Sequence, residues 1–288
     1  MKDSAVLLID CPDRKGLVAR VSGLLYERGA NILHADQHQD HNLGLFFMRV
    51  EWALNGGDGS ARFDLEGFKT AFAALAAELG MRWKLSAGEQ KPRMALFCSQ
   101  YLHCAADLLY RWRTGELDCD IPVIVSNHRD VERLAGYYGI PFEFVPVSAA
   151  TRAEAEARQV ELLARHEIEL VVLARYMQIL SPEFVGRYPA GIINVHHSFL
   201  PAFTGARPYH AAHARGVKLI GATSHYVTEV LDDGPIIEQD VARISHRDQV
   251  DDLVARGRDL ERLVLSRAVR WHLDRRILCY GNKTVVFD

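Results

Sequence analysis

The chain has 288 residues, of which 49% are apolar and 25% charged, and its formal net charge is −3. This balance excludes a disordered or fibrous protein, and the length favours two globular domains. Because there is no excess of positive charge, a small molecule is a better candidate partner than a nucleic acid. The five cysteines include no Cys-x-x-Cys pair, so neither a disulfide framework nor a zinc knuckle is indicated.

The apolar runs of the chain are too short for a membrane-spanning protein. The run at 171–174 is typical and falls far below the roughly 20 residues that a transmembrane helix needs. The N-terminal segment reaches Asp10 too soon for a signal peptide and has no small-residue cleavage site. We therefore expect a cytoplasmic protein without a membrane partner.

The first 85 residues alternate between strand and helix patterns. In chain order they predict a strand at 5–10, a helix from Leu17 to Gly29, strands at 31–40 and 43–54, a helix from Leu65 to Gly80 and a strand at 81–85. This order is the ferredoxin-like arrangement. Residues 86–93 carry a glycine and a proline but no large apolar side chain, so we expect domains at 1–86 and 94–288.

Strand-like and helical patterns continue to alternate after residue 94. The predicted strands are 94–98, 121–126, 142–147, 169–175, 192–196, 219–228, 236–244 and 284–287, and the predicted helices are about 101–114, 129–138, 151–166 and 248–273. This alternation indicates an α/β domain with a mostly parallel sheet. The turn sequence at 232–235 predicts a hairpin between the two strands around it.

The fifth strand of this domain ends in a candidate catalytic pair. Side chains alternate along a strand, so Asn194 and His196 face the same side, at the sheet edge where ligands bind. A carboxylate from Asp232 could orient the imidazole or take a proton from water, while the amide donates to a developing oxyanion. These groups suit acyl transfer or hydrolysis. The alternative is a histidine that caps the strand end and a solvated turn carboxylate.

Competing chemistries have weaker support in the sequence. Residues 98–104 contain no glycine, so neither a dinucleotide fingerprint nor a phosphate-binding Walker loop follows the first strand of the second domain. His210 and His213 have helical spacing, but no nearby carboxylate or cysteine completes a metal site. Cys98 or Cys104 beside a histidine suggests a thiol nucleophile, although buried structural cysteines are commoner. We expect neither a cofactor nor a metal.

Three segments resemble the folate-dependent formyltransferases: 194–203, 221–227 and 231–237. They agree in order and spacing, and Asp232 follows His196 by 36 positions. Segment 174–182 is similar to the part of the family that holds the pterin. The resemblance implies a Rossmann-like formyltransferase fold and catalytic roles for Asn194, His196 and Asp232. It also implies substrate-binding roles for Met177, Ile179, Leu180, His197, Ser198 and Asp233.

The first domain resembles an ACT domain through residues 13–18 and 29–32. ACT domains commonly bind amino acids at subunit interfaces, which implies a homo-oligomer and an amino-acid effector. The corresponding effector-binding residues are Asp13, Gly16, Asn31 and Ile32. A purely structural oligomerisation module is the alternative. An ACT domain ahead of a formyltransferase-like domain is the layout of the formyltetrahydrofolate deformylase family, which residues 103–113 also resemble.

Two departures from the formyltransferases bear on the substrate. Residues 99–101 replace the glycine-rich loop with which the enzymes acting on glycinamide ribonucleotide hold a phosphate, and this favours water as the acceptor. Gln178 stands where many transferases have arginine. The resemblance therefore implies hydrolysis of 10-formyltetrahydrofolate to tetrahydrofolate and formate, for purine synthesis and one-carbon balance. The alternatives are formyl transfer to an amine and a ligand-binding regulator without activity.

Overall fold

The computed structural model describes residues 3–55, 62–88, 91–201 and 208–287. The chain forms two compact units. The first contains Met1–Lys91, Arg275–Tyr280 and Val285–Asp288, and the second contains Pro92–Asp274 and Gly281–Thr284. The packing thus groups most of residues 275–288 with the first unit. The domain bounds of 1–86 and 94–288 expected from the sequence stay a prediction.

The first unit is a four-stranded antiparallel sheet with two helices. Its elements are β1 (Ser4–Pro12), α1 (Leu17–Glu27), β2 (Ile32–Asp40), β3 (Leu45–Ala53), α2 (Leu65–Leu79) and β4 (Arg82–Ala87). The strand order is β2-β3-β1-β4, with Leu7 opposite Val50 on one side and Leu85 on the other. This confirms the predicted ferredoxin-like arrangement.

Both faces of the central strand β1 are covered. Leu7 and Ile9 join the core that contains Trp52 and the helix residues, whereas Val6 and Leu8 pack against C-terminal residues. Those C-terminal residues are Tyr280, Val285 and Phe287. A strand that is buried on both faces reads as a continuous apolar run rather than as an alternating one, as residues 5–9 do.

The second unit is built on a seven-stranded mixed sheet. Its elements are β5 (Arg93–Cys98), α3 (His103–Arg113), β6 (Asp120–Ser126), α4 (Glu132–Tyr138), β7 (Phe142–Phe144), α5 (Arg152–Arg165), β8 (Leu170–Ala174), α6 (Pro182–Gly186), β9 (Ile192–His196), α7 (Pro208–Arg215), β10 (Leu219–Tyr226), β11 (Ile236–Arg243) and α8 (Val250–Leu273). The order is β11-β10-β9-β8-β5-β6-β7, parallel from β9 to β7 and antiparallel at β10 and β11. The predicted α/β class and the predicted hairpin, formed by β10 and β11, are confirmed.

A second hairpin follows in the chain and forms a separate two-stranded sheet. Its strands are β12 (Ile277–Tyr280) and β13 (Lys283–Val286).

Some short elements differ from the sequence prediction. The strand predicted at 142–147 ends at Phe144, although Val145 still donates to the Ser126 carbonyl. Helix α6 was not predicted because five residues carry too little periodicity, yet Ser181 caps it by accepting from Phe184 N. Within the described ranges, no helix combines the length and the apolar character that crossing a bilayer requires.

The parallel strands at the centre of the second unit fix the position of the candidate site. β8 lies between β5 and β9, and its residues Leu170–Ala174 are all buried. Because these strands are parallel, their carboxyl ends meet at one edge of the sheet. The chain leaves them there at Ser99, Arg175 and His197.

Candidate active site

A cavity of about 560 Å³ opens at this edge of the sheet. Its walls are residues 175–180 after β8, Asn194–His197 at the end of β9, His225 on β10 and the loop at 227–232. The volume is in the range of small-molecule sites.

The structure brings the three predicted catalytic side chains together in this cavity. His196 Nδ1 lies 3.3 Å from Asp232 Oδ2. The other carboxylate oxygen, Oδ1, lies 3.7 Å from Nε2 of His225, and the same Nε2 is 3.3 Å from Asn194 Nδ2. The pairing of β9 with β10, which sets Asn194 opposite His225, creates this arrangement.

His225 orients the Asn194 amide. Its Nδ1 is 2.9 Å from the Tyr226 carbonyl, which only accepts, so Nδ1 carries a proton. Burial lowers the pKa of His225, so the ring is neutral and Nε2 is an acceptor. Nε2 therefore accepts one Asn194 N–H and leaves the second for a ligand. Nothing in the sequence indicated this pairing, because it depends on the register between two strands.

Asp232 is held as a charged group. The hydrogen bond from His196 lowers the pKa of Asp232 and outweighs the effect of burial. The residue has φ 55°, a left-handed conformation that aspartate tolerates better than most side chains. A Cβ at Gly234 would overlap the Tyr226 carbonyl oxygen, so glycine permits the loop to pack closely on β10. The loop then presents Asp232 to His196.

His196 completes the site with an open nitrogen. Its side chain is buried, and among the described residues Nε2 has no hydrogen-bond partner. The carboxylate, this nitrogen and the free Asn194 N–H are the groups needed to activate water and stabilise an oxyanion.

A second polar network borders the cavity. Arg175 Nη1 donates to His197 Nδ1 over 2.7 Å, and Arg175 Nε lies 3.5 Å from Glu261 Oε2. Glu261 also accepts from His103 Nε2 at 2.7 Å and from Tyr209 Oη at 2.8 Å. Burial raises the pKa of Glu261, but the hydrogen bond from His103 and the Arg175 charge outweigh it, so the pKa is lowered and the carboxylate is charged.

Arg175 and Glu261 were not among the site residues predicted from the sequence. A signal existed for Glu261, because it lies on the buried stripe of α8 between Gly257 and Val264, where an apolar side chain is expected. Gly257 belongs to the same feature, since a Cβ there would overlap the Tyr209 ring and hydroxyl.

The network contains a group with metal-ligand geometry. Ligand atoms of His103, Cys104 and Glu261 lie within 4.8 Å of one another. However, His103 already donates to Glu261, and the Arg175 charge lies beside the same carboxylate. Burial also raises the pKa of Cys104 well above its usual range, and that of Cys98 to about 12. These residues fit a hydrogen-bonded network better than a metal site or a thiolate nucleophile.

The other predicted substrate-binding residues fall into two groups. Those that line the cavity are Met177, Ile179, Leu180 and His197, together with Gln178. Ser198 and Asp233 are not among the lining residues. The Ser198 carbonyl instead accepts from Thr223 Oγ1, and the Asp233 carbonyl accepts from Asn282 Nδ2. Ala202 and Phe203, which end the motif at 194–203, lie outside the described residues.

The predicted effector residues belong to the first unit. Asp13 and Gly16 precede α1, where Gly16 adopts φ 90° at the N-cap and Asp13 accepts from Gln39 Nε2 at 3.1 Å. Asn31 and Ile32 stand at the start of β2.

Comparisons with known proteins agree with both predicted domains. The formyl transferase family model matches residues 92–269, and the ACT domain model matches residues 5–51. The formyltetrahydrofolate deformylases of Synechocystis and Bacillus subtilis are 52% and 47% identical to the chain, covering 99% and 100% of it and 98% and 95% of their own lengths. The crystal structure of a formyltetrahydrofolate deformylase from Pseudomonas syringae pv. tomato is 50% identical, with a TM-score of 0.94 over 99% of this chain and 94% of that one. The chain therefore belongs to the formyltetrahydrofolate deformylase family, with an ACT domain ahead of a formyl transferase domain.

Proposed function

We propose that the second unit hydrolyses 10-formyltetrahydrofolate to tetrahydrofolate and formate, with Asn194, His196 and Asp232 as the catalytic residues. The observation that carries this proposal is the convergence of a charged carboxylate, an imidazole with an open nitrogen and an amide N–H on one cavity. The names of the relatives support the substrate, and the reaction class is that of a hydrolase.

Water is the acceptor of the formyl group. The Asp232 carboxylate accepts a hydrogen bond from the water and removes its proton as the oxygen attacks the formyl carbon. The charge that develops on the formyl oxygen receives hydrogen bonds from Asn194 Nδ2–H and from Nε2–H of a protonated His196. Each such donor contributes about 3 kcal/mol to transition-state stabilisation.

Collapse of the tetrahedral intermediate completes the reaction. The bond between carbon and N10 breaks, and His196 gives its Nε2 proton to N10 so that a neutral amine leaves. Asp232 then releases to solvent the proton that it took from water, and His196 regains one. The formic acid that leaves the intermediate loses its proton to solvent, so the products are formate and tetrahydrofolate, and no nucleotide, metal or other cofactor enters these steps.

The segment after β8 provides the folate-binding wall. Met177 and Ile179 line the cavity and expose about half of their surface, so their apolar side chains are available to a ligand. The backbone here is fixed, because Met177 N donates to Ser99 Oγ at 3.0 Å and Arg152 donates to the Ile179 carbonyl. Backbone groups and apolar side chains suit the flat pterin ring. Gln178 would lie at its edge.

The ACT domain would regulate this activity. An amino acid bound near Asp13, Gly16, Asn31 and Ile32 would control the supply of formate for purine synthesis, in a cytoplasmic homo-oligomer. The support is the ACT match itself.

Formate release from 10-formyltetrahydrofolate, with chelator present and no amine acceptor, tests the proposed reaction. A deformylase releases formate and tetrahydrofolate in equal amounts under these conditions. An amine formyltransferase would release tetrahydrofolate only after an acceptor is added. A regulator without activity would bind the folate and show no turnover.

A further inference from the structure

A buried ion pair of Arg175 and Glu261 lies at the cavity. Arg175 is one of the residues that line the cavity, and Glu261 lies behind it. The Arg175 side chain is 10% exposed and that of Glu261 only 2%. Burying two charges is costly, and a well-packed apolar pair is often as stable, so stability alone is a weak reason for such a pair. Glu261 also accepts from His103 and Tyr209, which leaves its carboxylate little freedom to move. Glu261 is therefore a fixed negative charge beside Arg175, whose Nε lies 3.5 Å away and forms no hydrogen bond within the described residues.

Arg175 contacts His197, and the contact fixes the position of the ring proton. A guanidinium group only donates, so the Nδ1 that accepts its hydrogen bond at 2.7 Å carries no proton. The proton of the neutral ring must then be on Nε2. Burial, followed by the charge of Arg175, lowers the pKa of His197 to about 4 and keeps the ring neutral.

The Nε2–H of His197 is available to a ligand. Within the described part of the chain, this nitrogen has no hydrogen-bond partner, and the residue lines the cavity. Its ring centroid is 5.1 Å from that of His196. The charged, titratable and aromatic groups that face His197 are Arg175, His196, Glu261, Asp232 and Tyr209.

We propose that Glu261 and Arg175 are positioning residues that hold His197 in its Nε2–H tautomer, so that His197 donates a hydrogen bond to the bound folate beside the reacting formyl group. The hydrogen bond to folate rests on the proposed function. The tautomer does not, since it follows from the contacts within the chain itself.

Nitrogen NMR of the histidine rings tests the tautomer without any need for turnover. The full-length protein is labelled with ¹⁵N, and the His197 signals are assigned by their loss in His197→Gln. We expect a neutral ring with its proton on Nε2 from pH 5 to pH 8. A proton on Nδ1, or titration of His197 near pH 6.5, would overturn the proposal in the unsubstituted protein.

The double variant Arg175→Met/Glu261→Gln removes both charges together and leaves neither one buried alone. We expect its His197 to sample both tautomers and to titrate closer to pH 6.5, because the donor and the nearby positive charge are lost. Unchanged His197 signals in this variant would contradict the positioning role.

Kinetic coupling tests the hydrogen bond to folate. The double variant should lower kcat/KM about 10- to 100-fold, which is the range for losing one hydrogen bond to a fixed donor. In the His197→Gln background the same two substitutions should cause no further loss, since they act through His197. Equal losses in both backgrounds would overturn this part. If formate release is absent throughout, the proposed function fails while the NMR result still decides the tautomer.

The first unit offers a matched control. Arg49 and Glu51 form another buried pair, at 2.8 Å, with side chains 9% and 7% exposed. Arg49→Met/Glu51→Gln should leave kcat/KM and the His197 signals unchanged. If the control lost as much kcat/KM as the Arg175→Met/Glu261→Gln variant, the loss would reflect damage to the fold, and this would contradict a specific role for Arg175 and Glu261.

Discussion

Asp232 Oδ2 lies 3.3 Å from His196 Nδ1, although the two residues are 36 positions apart and belong to different segments. His196 ends the parallel strand β9, whereas Asp232 is in the loop between the antiparallel strands β10 and β11. Because β10 runs antiparallel to β9, it ends at Tyr226 opposite Ile193, near the start of β9, and the loop that follows must fold back along the sheet for Asp232 to reach His196. The proposed catalytic pair therefore depends on the path of this loop as well as on the strand order.

Asp232→Asn should lower kcat for formate release by at least about 10³-fold, since the amide can neither take a proton from water nor stabilise an imidazolium. The fold should persist, because the amide keeps the size of the carboxylate. Steady-state kinetics and circular dichroism measure both effects. Asp240→Asn, at an exposed ion pair with Arg267, is the control and should retain its activity. Full activity in a folded Asp232→Asn protein would contradict the role of Asp232.

His225→Phe should lower kcat by acting through Asn194. The phenyl ring cannot accept the Asn194 N–H, so the amide loses its fixed orientation. We expect about a 10-fold loss in kcat with little change in KM, and about a 100-fold loss for Asn194→Ala. The double variant should be no slower than Asn194→Ala alone. Losses that multiply would show that His225 acts independently of the amide.

The sequence was sufficient to predict positions that depend on local patterns. Strand alternation predicted Asn194 and His196 on one side, and the turn sequence predicted Asp232 in a loop, while their catalytic roles were implied by the resemblance of three segments to the formyltransferases. The contacts of His225, Arg175 and Glu261 were not accessible in the same way. Their contacts depend on strand register and on how α8 packs on the sheet, which single-sequence periodicity does not encode.

Gly257→Ala should destabilise the second unit. An added methyl group on α8 would overlap the Tyr209 ring, and forcing extra volume into a packed site typically costs about 1–3 kcal/mol. Urea denaturation measures the loss. Gly136→Ala on α4 is the matched control, since its Cβ meets no atom within 4 Å, and it should gain about 0.5–1 kcal/mol from helix propensity. Equal free energies of unfolding in the two variants would refute the crowding argument.

His197 should make the protein less stable as the pH falls below neutral. The folded ring has a pKa of about 4 against an ordinary value of 6.5, so between these values the unfolded chain binds more protons. The free energy of unfolding should therefore fall by about 2 kcal/mol between pH 7.5 and pH 5 through this residue alone. His225, whose pKa is also lowered, acts in the same direction.

Comparison with His197→Gln isolates this contribution. Urea denaturation at pH 7.5 and pH 5 should show a smaller pH effect in the variant than in the parent chain. The lowered pKa values of Asp232 and Glu261 act only at more acidic pH, near and below the ordinary carboxyl range, so they do not obscure the difference. The same pH effect in both proteins would exclude His197 as its source.

An amino-acid effector should raise the melting temperature of the full chain, because a ligand that binds only the folded state stabilises it increasingly as its concentration rises. The twenty amino acids are screened by thermal shift, and formate release is followed for any that respond. Asp13→Ala should abolish the response, since the ACT resemblance assigns this carboxylate to the effector. Asp36→Ala on β2, whose carboxylate accepts from the neighbouring Gln37 N–H, should retain it. If none of the twenty amino acids raises the melting temperature, the ACT domain is better explained as a structural association module, and the proposed regulation by an amino acid fails.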